Sequence, residues 1–155
     1  MAGAANENFY EAAVRQWVDG KILEEEGEYD NAVCLQGFAA ECALKAILRE
    51  GYSRYINADG TWRASVLKKY GHGGTELLGD LEMMLLNDLE LASVLDPVSG
   101  LRLSAIELPE VLFLGHPERR YFPDGVYGSE DAENCRRGAE KVVKEMVRLH
   151  LDGFL

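Results

Sequence analysis

Several groups of residues in this chain have types and spacings that could do chemistry. The largest runs from Lys45 to Thr75, where six bases (Lys45, Arg49, Arg54, Arg63, Lys68 and Lys69) meet only two acids, Glu50 and Asp59. The segment carries +4, which leaves -15 for the remainder of a chain whose net charge is -11. Tyr52, Tyr55, Trp62 and Tyr70 are interleaved with the bases. Cations attract phosphate and aromatic faces stack on bases, so the pattern suits a nucleotide or a single nucleic-acid strand. It also suits a loop whose aromatics anchor in a core while its bases stay solvated.

Within that segment, Gly71-His72-Gly73-Gly74-Thr75 precedes an expected helix. Free N–H groups at a helix start form an anion nest, although the absence of a Gly-Lys-Ser/Thr ending excludes a P-loop. The alternative is a turn in which His72 or Thr75 caps the helix. Farther on, Arg119-Arg120-Tyr121 follows His116-Pro117-Glu118. It reads either as a phosphate clamp or as a partner for the acids Glu24 to Glu28.

A subtler group lies between Ala32 and Leu48, where only Gln36, Glu41 and Lys45 are polar. At about 100° per residue, Glu41 and Lys45 fall ~40° apart on a helix, with Gln36 opposite Lys45. The acid-before-base order is the favourable one. As a solvated seam the pair would be worth only ~0.3–0.5 kcal/mol. As a partly buried wall, Glu41 would orient Lys45 towards an anion. The candidate phosphate ligands are therefore Lys45, Lys68, Lys69, His72, Arg119 and Arg120, with Tyr121 as a stacking face and Glu41 as the orienting residue.

Other chemistries find little support. His72, His116 and His150 are scattered, with no Cys-x-x-Cys or His-x-x-x-His pair, so neither a metal nor another cofactor is expected. Cys34 and Cys42 would stand ~12 Å apart on one helix, too far for a disulfide. With Cys135 they read as core thiols of a reducing compartment. The acidic balance argues against duplex DNA and anionic membrane surfaces. No apolar stretch is long enough to span a bilayer, and the first residues lack a signal-peptide pattern, so a cytoplasmic location is expected.

The elements that must position these residues are helical. With 155 residues and 47% hydrophobic content, the chain fits one domain with its own core. Tyr10, Ala13, Val14, Trp17, Val18, Ile22 and Leu23 recur at helical spacing and predict a first helix over residues 6 to 26. A short acidic turn follows, so the second helix, about Asp30 to Glu50, is its antiparallel neighbour. Asp30 is its expected N-cap and Gly51 its stop. Its nearly all-round apolar surface makes it the central helix. Thr75 opens a third helix, reaching Leu86 or Leu95, and short helical pieces are expected in residues 52–74 and 97–128, where Pro109, Pro117 and Pro123 forbid one long helix. Ser129 is the expected cap of the last helix, whose inner stripe is Ala132, Cys135, Ala139, Val142, Val143 and Met146. The expected fold is an all-α, up-down four-helix bundle.

The chain also resembles the HEPN superfamily of small all-helical bacterial and archaeal domains. The resemblance rests on Glu28-Tyr29-Asp30-Asn31-Ala32-Val33 and on Ala39-Ala40-Glu41-Cys42-Ala43-Leu44-Lys45-Ala46-Ile47-Leu48. It continues through Gly71-His72 before Leu77-Leu78, Arg120-Tyr121, and a closing helix with Ala139 and Val142-Val143. It implies an up-down bundle that dimerises and a role in RNA or nucleotide biology, often in defence or toxin–antitoxin systems. It also implies partners such as a nucleotidyltransferase, a toxin or an antitoxin. Catalytic members are similar to metal-independent ribonucleases that use an Arg and a His four to six residues apart near the start of the last helix. The matching stretch here, Asn134 to Val143, holds Arg136 and Arg137 without a histidine at that spacing. The expectation is therefore a non-catalytic binding module for nucleotide or RNA phosphate or for a partner protein. The alternatives are a ribonuclease with a non-standard pair, such as His72 with Arg120, and a structural homodimer or toxin-neutralising subunit.

Overall fold

The computed structural model describes residues 8–51 and 108–152. Among them are three α-helices, α1 (Phe9–Glu25), α2 (Tyr29–Gly51) and α3 (Ser129–Leu151), two 3-10 turns at Glu110–Leu112 and Glu118–Tyr121, and no strand. The described residues are thus all-α, as the periodicity predicts. The 3-10 turns are the short helical pieces expected in the described part of 97–128. The helix expected from Thr75 and the pieces expected in 52–74 lie outside the described residues.

The helix ends follow local chemistry, with two departures from expectation. α1 opens where the Asn8 side chain accepts the Glu11 N–H at 2.9 Å. It closes at Gly27, whose φ of 79° lets the Glu28 N–H turn back to the Leu23 carbonyl at 2.9 Å. Asp30 is not the cap of α2. It sits in the first turn, and its carboxylate instead accepts the Gly125 N–H at 2.8 Å and the Tyr127 N–H at 3.0 Å. Ser129 is likewise already helical. Gly128 holds the N-cap position of α3, and Asp131 reaches back to the Gly128 N–H at 2.9 Å. In both cases a carboxylate of the first turn accepts from backbone N–H groups that lie outside the helix.

Two contacts fix the helix directions. Glu24, near the end of α1, pairs with Arg136 near the start of α3 at 2.9 Å. Tyr10, near the start of α1, lies with its ring centroid 4.6 Å from that of His150 near the end of α3. Hence α3 runs antiparallel to α1, and the short turn between α1 and α2 makes α3 run the same way as α2.

Small residues let the helices close on one another. Ala13, Ala32, Ala39, Ala40, Ala43, Ala132 and Ala139 are fully buried, and Leu44, Ile47, Met146 and Leu149 fill the spaces around them. Each of those larger side chains contributes about 1.5–3 kcal/mol by leaving water. Cys34, Cys42 and Cys135 are buried and free. No helix among the described residues is long and apolar enough to cross a membrane.

Residues 108–128 form a strap laid across α2 and α3. Its apolar anchor is Leu112, fully buried. Gly138 makes room for it, because a Cβ there would lie 2.7 Å from Pro109 Cδ and 3.3 Å from Leu112 Cδ2.

Candidate functional site on the second helix

The strap is fastened to α2 mainly by polar side chains. Arg119 is 2% exposed and stands among backbone carbonyls. Its Nη1 donates to the carbonyls of Val111 at 2.6 Å and Leu114 at 3.3 Å. Its Nη2 donates to Leu112 at 2.6 Å and, across to α2, to Val33 at 3.0 Å. A guanidinium carries five N–H donors in a rigid planar fork, so it can meet all four carbonyls, where an ammonium has only three donors. Arg119 therefore acts as a bolt between strap and helix, a role distinct from both the phosphate clamp and the acid pairing that its sequence context suggests. The acidic turn finds a different partner, since Glu24 takes Arg136.

About two turns along α2 lies a second fastening. Glu41 is 4% exposed. One carboxylate oxygen meets His116 Nε2 at 2.9 Å, and the other accepts from Lys45 Nζ at 3.0 Å. The His116 and Lys45 side chains are only 1% and 11% exposed. The Glu41–Lys45 pair is thus a buried wall rather than a solvated seam, with His116 of the strap against Glu41. Gly37 permits this approach: a Cβ there would press on the Arg119 guanidinium and come within 2.8 Å of His116 Nδ1.

From this buried network a line of aromatic contacts leads outward. Phe38 packs edge-to-face on His116 with centroids 4.5 Å apart. The Arg120 guanidinium lies 5.9 Å from the Phe38 centroid and 4.9 Å from that of Tyr121. Tyr121 is 77% exposed. On the inner side, Lys45 Nζ stands 5.8 Å from the Phe9 ring. Phe38, Glu41 and Lys45 share one face of α2, since separations of three and seven residues return to nearly the same helical angle.

Of the residues singled out from the sequence, Glu41, Lys45, Arg119, Arg120 and Tyr121 come together along α2 and its strap. Lys68, Lys69 and His72 lie outside the described residues. Sequence reasoning missed His116, read there as one of three scattered histidines, and Phe38, which it did not single out. The one signal for Phe38 was its register with Glu41 and Lys45. Nothing in the sequence joined His116 to either.

Arg120 offers a cation on an aromatic support, and Tyr121 offers a ring face. Among the described residues no group of three His, Cys, Asp or Glu side chains could hold a metal ion. Burial pushes the Cys135 thiol up to about 12, against the opposing pull of Arg119, and it raises Cys34 too. Neither thiol is therefore an active nucleophile near neutral pH. No protein-family model, curated protein or solved structure matches the chain.

Proposed function

We propose that this protein is a non-catalytic, HEPN-like helical module that binds the phosphate of a nucleotide or of RNA, in a toxin–antitoxin or defence setting. The observation that carries the reading is Arg120, held between Phe38 and the exposed ring of Tyr121. A stacked guanidinium keeps its in-plane N–H donors available for a phosphate. Lys45, on the same face of α2 as Phe38, is held by Glu41 within the buried network that supports Phe38. In support of the four-helix form of the fold, α2 and α3 run the same way, as the second and fourth helices of an up-down bundle do.

The test is a titration of labelled nucleotides and short RNA at low salt, on the full chain and on Arg120→Ala, with Lys68/Lys69→Ala beside it. Arg120→Ala is expected to weaken binding about tenfold, the scale of one charge-assisted contact. Unchanged affinity in that variant, or no binding at all, overturns the reading. RNA incubated with the protein should stay intact.

A second reading, a homodimer or a complex with a partner such as a nucleotidyltransferase, is favoured by Val18 and Ile22. They lie one turn apart on α1 and are 40% and 50% exposed. Light scattering that shows a monomer, unchanged by Val18→Glu with Ile22→Glu, counts against self-association.

A further inference from the structure

We infer that the Arg120–Tyr121 corner takes one unstacked base and one phosphate at a time, so that its ligand is a nucleotide or an unpaired residue of a single strand and not a duplex. The inference rests on the phosphate-binding reading and narrows its ligand.

The geometry is that of a half-built stack. Tyr121 presents its ring to the Arg120 guanidinium at 4.9 Å while 77% of the residue stays exposed, which leaves aromatic surface for another planar group. Arg120 is backed by Phe38, and Phe38 is held by His116, which Glu41 fixes in turn. The platform is therefore supported from the interior and needs little reordering to bind. Bases inside a duplex are stacked on one another and cannot reach such a ring, whereas unpaired bases can.

The charge around the corner limits the phosphate count. Arg120 is exposed, as are the strap acids Glu118 and Asp124, and the only other arginine of the strap, Arg119, is buried against carbonyls. The strap therefore supplies one exposed guanidinium, which is charge for one phosphate.

The test uses the full chain with adenosine monophosphate, adenosine, ribose 5-phosphate, a short single-stranded RNA and an RNA duplex. Calorimetry or anisotropy would follow each across a salt series. The monophosphate and the single strand should bind. Adenosine, ribose 5-phosphate and the duplex should each be at least about tenfold weaker, the scale of one lost stacking or charged contact. The salt slope for the single strand should lie near -0.7, the value for one phosphate. Tyr121→Leu should weaken binding about tenfold and Tyr121→Phe should retain it, both with unchanged melting behaviour. Equal binding of the duplex, equal binding of ribose 5-phosphate, a slope several times steeper, or indifference to Tyr121→Leu overturns the inference while leaving phosphate binding in place. Indifference to Arg120→Ala, or no binding by any probe, overturns both.

Discussion

The Glu41 carboxylate meets His116 Nε2 at 2.9 Å across a sequence separation of 75 residues, while its other oxygen holds Lys45. The stretch of α2 from Ala32 to Leu48, with only three polar residues, thus keeps a carboxylate where a strap from far along the chain comes to rest on it. Removing that carboxylate leaves an ammonium and an imidazole buried without their shared acceptor. Glu41→Ala should cost about 3–5 kcal/mol of stability. Glu41→Gln, which keeps a hydrogen-bonding oxygen, should cost less. Urea denaturation midpoints measure both; a Glu41→Ala loss below that of an exposed substitution would show that the network is not stabilising.

Arg119 supplies the second fastening. Arg119→Lys keeps the charge but not the fork, so it cannot meet the carbonyls of Val33, Val111, Leu112 and Leu114 together. It should lose about 2–3 kcal/mol, because buried carbonyls are left short of donors. Thermal unfolding at constant pH is the measurement, and a lysine variant as stable as the parent would contradict the assignment.

Asp30 forms the third. Its two oxygens each take one strap N–H, so Asp30→Ala should release the Gly125 and Tyr127 amides. Hydrogen exchange at those two sites should quicken while exchange in the middle of α3 stays slow. The stability loss should be near 1–2 kcal/mol. Uniformly faster exchange throughout the domain would point to a global rather than a local role.

The Cys135 thiol gives a pH dependence with a definite sign. Its folded value, about 12, lies above the ordinary 9.0 because burial disfavours the thiolate. The folded state therefore holds this proton longer than the unfolded state. The resulting stability is fully present below pH 9 and is lost as pH rises from there towards 12, at about 1.4 kcal/mol per unit. Cys135→Ala should flatten this part of the stability profile relative to the parent, and equal slopes would exclude Cys135 as the source. Alkylation of the folded protein at pH 8 should spare Cys135.

How much of this was legible in the sequence depends on the range of the interaction. α1, α2 and α3 could be read because each repeats apolar residues at helical spacing, and the Glu41–Lys45 pair could be read because both ends lie on one helix. The caps were harder. Asp30 and Ser129 have the right chemistry for N-caps, but whether Asp30 bonds its own helix or a strap 95 residues away is a tertiary question. The site was least legible. Gln36 illustrates why: buried on the far side of α2 from Lys45, it donates to the Trp17 carbonyl of α1 at 3.1 Å. His116 and Phe38 meet for the same kind of reason. A strap held by hydrogen bonds to a helix leaves no period in the sequence, only isolated polar residues whose partners are chosen by the fold.

Gly37 and Gly138 sit on different helices, yet each makes room for the same strap. Each forgoes about 1 kcal/mol of helix propensity relative to alanine. Their histories should therefore be linked. In a descendant whose strap is shortened or rerouted, both would be released together, and alanine at one should be accompanied by alanine at the other. Where the strap is retained, both should resist replacement even on backgrounds that tolerate extensive change along the outer faces of the same helices.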